Sequence, residues 1–176
     1  MSFSDNPISY LSRMMWKFSK GNRSKVVLVI FLSTIANTIF FVEPLIIAKV
    51  LNIIQLEGVT QSNIGLILLI LSSYLFINIG FWIFHGPARV LEISNAFIVR
   101  AQYKQYLLDG TMDLPAKWHT NHHSGDTIDK IEKGTNALYI FSSEYFLIVE
   151  SIIKIIGSYI ALTYFNIHSA YIVIIM

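Results

Sequence analysis

Three long apolar runs, separated by polar and charged stretches, set the plan of the chain. The first extends from Val26 to about Ile54 and opens VVLVIFLSTIANTIFFV. The second, NIGLILLILSSYLFINIGFWIF, covers Asn63 to Phe84, and the third runs from about Tyr139 to Phe165 and carries Glu144, Glu150 and Lys154. Each supplies the roughly 20 residues that a membrane-spanning helix requires. A last run, AYIVIIM from Ala170 to Met176, is too short to cross and predicts the start of a fourth span in a larger parent. The first run is too long for a signal peptide, and no A-x-A cleavage pattern follows it.

The polar stretches are patterned too. Ahead of the first run, PISYLSRMMWKFSKGNRSK mixes Ile8, Leu11, Met15, Trp16 and Phe18 with Arg13, Lys17 and Lys20. That mixture predicts an amphipathic helix lying in the membrane interface, with Trp16 at headgroup level. Between the second and third runs, residues 85–138 read as a helical hairpin. After a break at His85-Gly86-Pro87, apolar residues recur near helical period at Ala88, Leu91, Ile98, Val99, Tyr103, Tyr106 and Leu107. Asp109-Gly110 closes this first arm and Pro115 opposes an immediate restart. The second arm begins at Ser124-Gly125-Asp126, with Ser124 as cap and Asp126 and Asp129 suited to the positive helix end. At about 1.5 Å per residue the first arm reaches roughly 30–35 Å.

Composition agrees with lipid as the solvent for much of the chain. Of 176 residues, 54% are hydrophobic and only 14% are charged, against about a quarter charged in soluble domains. The chain has no cysteine, which excludes disulfides, thiolate metal sites and a cysteine nucleophile. A formal net charge of +2 is too small to argue for nucleic acid. The placement of Lys and Arg says more. Arg13, Lys17, Lys20, Arg23 and Lys25 precede the first run, and none lies in LEGVTQSN or in FNIHS. Arg89, Arg100, Lys104, Lys117, Lys130 and Lys133 fall between the second and third runs. The positive-inside rule therefore puts the N-terminus and the hairpin in the cytoplasm.

In this order of elements the chain resembles the transmembrane domain of ABC exporters (ABC transporter type 1, type IV fold), N-terminal half only. Carrying the resemblance are Arg100, Tyr106, Leu107, Leu108, Leu114, Pro115, Trp118, His119, Ser124, Gly125, Asp126 and Ile128. Pro44 near the outer end of the first span and the turn Phe165-Asn166-Ile167-His168 add to it. The Leu-Pro to Gly-Asp spacing is its most specific part. The sequence departs from the family where Ser-Arg-x-x-x-Asp commonly follows Gly-Asp: Asp129-Lys130 is followed here by Gly134. Trp118-His119 also replaces two large aromatics.

The resemblance implies an all-α membrane protein. An interfacial elbow helix in residues 1–25 precedes a partial transmembrane domain in 26–176, with spans at about 26–54, 63–84 and 139–165 and a fourth from 170. It also implies that Ala116 to Asp126 is the first coupling helix with its flanks, with Trp118, His119, Thr120, Asn121, His122, His123, Ser124, Gly125 and Asp126 docking on a nucleotide-binding domain. The chain carries no G-x-x-x-x-G-K-[ST] loop. ATP and Mg are therefore expected in that domain, downstream in the same chain or separate, and no cofactor is expected in this segment. The other expected partners are membrane lipid and a second transmembrane half, as homodimer or heterodimer. The expected location is a prokaryotic plasma membrane.

Two readings compete at several residues. His119, His122 and His123 show the His-x-x-His-His spacing of a di-iron desaturase and share one face if the stretch is helical. Such an enzyme needs several histidine boxes, and only His85 and His168 remain, so a docking surface is preferred and no metal is assigned. Trp118 reads as a packing anchor of that surface. A di-iron membrane oxidase and a stand-alone small membrane protein remain the alternatives. Glu150 and Lys154 stand one turn apart near mid-membrane, where ionisable groups are costly unless paired or facing water. They are either an intrahelical pair facing the bundle or a cavity-lining pair sensing a charged or zwitterionic substrate. Glu43, next to Pro44 near the outer end, is either an outer gate or simply solvated there. Asn37 and Asn78 are interior polar positions suited to helix–helix hydrogen bonds or to cavity lining.

Overall fold

The computed structural model describes residues 6–165, the side chains of 161, 162, 164 and 165 excepted. The expected fourth span and His168 lie outside the described residues. Every regular element is helical: α1 (Pro7–Phe18), α2 (Arg23–Phe40), α3 (Glu43–Glu57), α4 (Ile64–Met112), α5 (Ala116–Asn121), α6 (Ser124–Ser143) and α7 (Tyr145–Phe165). Two stretches, Arg23–Glu57 and Ile64–Met112, are long and apolar enough to cross a membrane. Large apolar side chains on α4 point away from protein, with Leu69 68% and Phe76 70% exposed. That is not the profile of a soluble core helix.

The helix boundaries differ from the expected ones at the prolines and at Ser143. The first apolar run is divided at Phe41-Val42. Pro44 has no N–H to give the carbonyl of Phe40, and its ring crowds that carbonyl. The chain tightens there into shorter-range bonds, Val42 N–H to Ile39 C=O at 3.2 Å and Leu45 N–H to Val42 C=O at 3.1 Å. Pro87, by contrast, lies inside an uninterrupted α4. The predicted break at 85–87 does not occur, and α4 continues past Asp109-Gly110 to Met112. Just before Pro87, the His85 ring stacks on Phe81 at 4.6 Å, and Phe81 packs on Phe40. The third run is also split, α6 ending at Ser143 and α7 starting at Tyr145.

The chain forms two compact units. Among the described residues, unit 1 comprises 6–29 and 89–146, and unit 2 comprises 30–88 and 147–165. In unit 1, α1 packs against α6. Met15 and Phe18 are buried, and Phe18 meets the rings of Tyr103 and Tyr106 at 5.1 and 5.4 Å. The amphipathic face of α1 is therefore partly used inside the protein, while Ile8 and Trp16 remain exposed. Ala96, Val99, Ile131, Thr135 and Leu138 complete this core. In unit 2, Gly157 admits the Phe41 ring so closely that a β-carbon would lie 2.3 Å from it. Ile39 lies over Gly80.

Candidate functional site

The hairpin tip is built by competition for one carbonyl. Pro115, with extended backbone, starts α5, and its C=O accepts from Trp118 N–H at 2.8 Å. The helix then stops at Asn121. His122 Nδ1 lies 2.9 Å from the Trp118 carbonyl oxygen, which can only accept, so the bonded tautomer carries its proton on Nδ1. The His122 side chain thus takes the acceptor that its own backbone N–H would use in a longer helix. His122 and His123 are extended. Only His119 of the three histidines is helical, which corrects the expectation of a shared helical face.

The tip residues are otherwise open to solvent. Thr120, Asn121, His122, His123, Ser124, Gly125 and Asp126 are all exposed. Trp118 is half-buried, its ring stacked on His122 at 4.2 Å and 13° and edge-on to His119 at 5.2 Å. A cleft of about 260 Å³ opens here among Leu108, Thr111, Trp118, His122, Thr127 and Ile131. Ser124 is the first residue of α6 and not its cap. His123 occupies the cap position, and no side-chain cap bond forms. Asp126 sits in the first turn as expected and pairs with Lys130 at 3.6 Å. Among the described residues no three His, Asp or Glu side chains gather as a metal-ligand set.

Unit 2 brings together three of the five polar residues singled out in the apolar runs. Asn37, Glu43 and Lys154 line one cleft of about 260 Å³, with Phe40, Phe41 and Pro44 as its apolar wall. The helix break at Pro44 places Glu43 in the first turn of α3, where it accepts from Tyr74 O–H at 3.2 Å. Lys154 is ion-paired with Glu150. Glu150 reaches the cleft only through that pair, and Asn78 does not line it. Asn37 and Asn78 each donate to the carbonyl four residues back, Ser33 and Tyr74, at 2.9 and 3.0 Å. Those bonds run along their own helices, not across to neighbours.

Sequence reasoning missed two features. Lys49 lines a second cleft with Leu45, Ile46, Leu69, Ile70 and Ser73; a cation inside an apolar run was its available signal. The second feature is in unit 1, where Arg89 and Glu92 of α4 occupy the junction between α6 and α7. Arg89 Nη1 donates to Glu92 Oε2 and to the Ser143 carbonyl, both at 2.7 Å. Phe146 N–H donates to Glu92 Oε1 at 2.7 Å. A guanidinium thus serves the last carbonyl of α6, that of Ser143, and a carboxylate serves one first-turn N–H of α7, that of Phe146. Each charge sits at the helix end whose dipole favours it. The Arg89 guanidinium also lies 4.2 Å from the Phe146 ring and 3.8 Å from Glu144. Burial pushes the Glu92 carboxyl above its ordinary value, against the Phe146 N–H and Arg89, which hold it down.

Glu132, half-buried on the face of α6 that meets Arg100 and Lys104 of α4, behaves oppositely. The hydrogen bond from Lys104 holds its carboxyl below the ordinary range, with Arg100 adding to the effect at 3.8 Å. Compared with family models, with curated proteins and with solved structures, the chain shows no match.

Proposed function

We propose that this chain is part of the transmembrane domain of an ATP-driven exporter. In this reading α2–α3, the first part of α4, and α7 are its first three spans, and α1 is its interfacial elbow. The tip from Ala116 to Asp126 docks on a nucleotide-binding domain whose closure is transmitted along α4 and α6. ATP and Mg belong to that domain, and a second transmembrane half completes the pathway. The observation that carries the reading is the pair of long helices, α4 and α6, joined only by the six-residue α5. That α5 presents a half-buried Trp118 beside an open cleft. A large aromatic in such a cleft is what a docked interface uses as an anchor. The apolar length of Arg23–Glu57 and Ile64–Met112 supports the membrane part. The cleft containing Asn37, Glu43 and Lys154 is the proposed stretch of substrate pathway. It offers a carboxylate and an ammonium against two phenylalanine rings, which suits a charged or zwitterionic amphiphile.

The absence of cysteine makes a direct test simple. Val59→Cys and His122→Cys, each made singly and treated with a membrane-impermeant maleimide on intact cells, report the orientation. Residue 59 is expected to label from outside and residue 122 only after permeabilisation; the reverse pattern would reject the reading. A photo-crosslinker in place of Trp118 is then expected to capture an ATP-hydrolysing polypeptide or domain. Its capture of lipid alone would remove the coupling role.

A further inference from the structure

Beside the Arg89–Glu92 junction, unit 1 holds a small, partly open pocket of about 10 Å³, whose mainly apolar lining of Met15, Val26, Val29 and Tyr145 also carries the polar groups of Glu92, Asn95 and Ser142. Asn95 and Ser142 are 4% and 1% exposed. The Oδ1 of Asn95 and the Oγ of Ser142 have no hydrogen-bond partner within the protein. Two buried polar atoms in one place are costly when left unsatisfied, because each has given up its hydration without a replacement bond. A cavity of roughly 10–15 Å³ with two to four polar partners holds one water.

We propose that this cavity is the binding site of a single structural water held by Glu92, Asn95 and Ser142. The donors and acceptors balance. Ser142 O–H donates to the water, and the water donates one hydrogen to Asn95 Oδ1 and the other to the Glu92 carboxylate. That carboxylate uses one acceptor site for Phe146 N–H and one for Arg89, out of about four. Three bonds is the usual complement of a buried water. The water closes a polar chain across unit 1. The Ser19 hydroxyl, at the end of α1, donates to the Met15 carbonyl at 2.7 Å, and Asn95 Nδ2 donates to Ser19 Oγ at 3.0 Å. From Asn95 the chain passes through the water to Ser142 of α6 and to Glu92, and so to the first turn of α7. The end of α1 is thereby connected to the α6–α7 junction, and the charged form of Glu92 gains a third donor. This inference is independent of the transport reading.

The test uses the full chain in detergent, with the thermal midpoint and the oxygen-17 magnetic relaxation dispersion of water as readouts. With the water bound, Ser142→Ala removes one of its three partners. The midpoint is expected to fall by about 2–4 °C, and the long-lived water signal is expected to lose one molecule or shorten in residence. If the hydroxyl is merely unsatisfied, deleting it relieves a cost, and an unchanged or higher midpoint overturns the proposal. Val29→Ile supplies a second, independent sign. Filling a cavity that holds water expels it and lowers the midpoint, and adding Ser142→Ala in that background then costs nothing further. If the two effects add instead, the variants do not share a water and the proposal fails.

Discussion

Two acid–base pairs of nearly the same local spacing occupy different positions in this molecule. Arg89 and Glu92 are three residues apart on α4; Glu150 and Lys154 are four apart on α7. Within its own helix each is a neighbouring pair on one face, the second in the more favourable acid-before-base order. Glu92, however, is 4% exposed and is bonded to Phe146, while Arg89 is bonded to Ser143, both 54 residues away in the chain. Lys154 is 55% exposed, and its ionic partner is its own helix neighbour. The lesson is that an ion pair matters for the fold through what else it touches. A pair that satisfies the ends of two other helices is a structural joint. One that satisfies only itself is free to serve a ligand.

The sharpest way to break this contrast is to delete Glu92. Glu92→Ala strips Phe146 N–H of its carboxylate acceptor and Arg89 of its nearest counter-charge, leaving the guanidinium with the Ser143 carbonyl and, at 3.8 Å, Glu144. Removing one partner of a buried pair costs about 3 kcal/mol, read as a lower unfolding midpoint in detergent. Glu92→Gln keeps an acceptor for Phe146 N–H and is expected to recover much of that loss. If the two variants were equally damaged, the carboxylate's geometry would not be what holds the junction.

A second experiment asks what does hold α7 in unit 2. Gly157→Ala places a β-carbon 2.3–2.8 Å from three atoms of the Phe41 ring. Overpacking of that kind costs about 1–3 kcal/mol, and Phe41→Leu in the same chain is expected to restore part of it. A Gly157→Ala effect larger than that of any change at Glu150 would show that ring packing, not the ion pair, positions the helix.

These two features also mark what was legible. The helical character of the apolar runs, the restart near Ser124 and the break near Pro115 follow from hydropathy and local backbone chemistry and appear in the structure, whereas the divisions of the first run at Phe41-Val42 and of the third at Glu144 were not expected. Pro44 divided its run, whereas Pro87 lies inside an uninterrupted α4, a difference that local sequence does not mark. Among site residues, Asn37, Glu43 and Lys154 were readable as polar positions in apolar runs, and they share a cleft. The end of α5 was not readable, since it turns on one side-chain bond from His122. Glu92 went unread for a related reason. Its importance lies in one backbone group, the Phe146 N–H at the start of α7, and no spacing rule on α4 points there.

Protonation gives a smaller effect with a diagnostic sign. Burial raises the Glu92 carboxyl above 4.5 in the folded state, so the folded chain holds a proton that the unfolded chain has released. The contribution of Glu92 is therefore fully present below the unfolded value. It is lost as pH rises from 4.5 through the folded value and is constant above it. Glu132 runs the other way. Lys104 lowers its folded value below 4.5, so its contribution is present above 4.5 and is lost as pH falls through that lower value. Mild acidification should raise the unfolding midpoint through Glu92, and further acidification should lower it through Glu132. Glu92→Gln is expected to remove the first phase and Glu132→Gln the second. Loss of both phases in one variant would mean that the two carboxylates are not independent.

The smallest predicted effect on stability is at Glu150, and its smallness is the point. Glu150→Gln leaves an i,i+4 hydrogen bond to Lys154 possible and removes an interaction that on an exposed helix face is worth about 0.3–0.5 kcal/mol. The unfolding midpoint is expected to move by less than in either Glu92→Ala or Gly157→Ala. Ligand response is expected to move much more. Lys154 lines the Phe40–Phe41 cleft with Glu43, so losing the Glu150 charge unmasks the ammonium and shifts the cleft's preference toward anionic amphiphiles. Binding of an anionic and of a zwitterionic detergent-like probe, compared between Glu150→Gln and the parent chain, reads that shift. A large loss of stability with no change in probe preference would put Glu150 and Lys154 in the same class as Arg89 and Glu92, and the contrast between a joint and a site would fall.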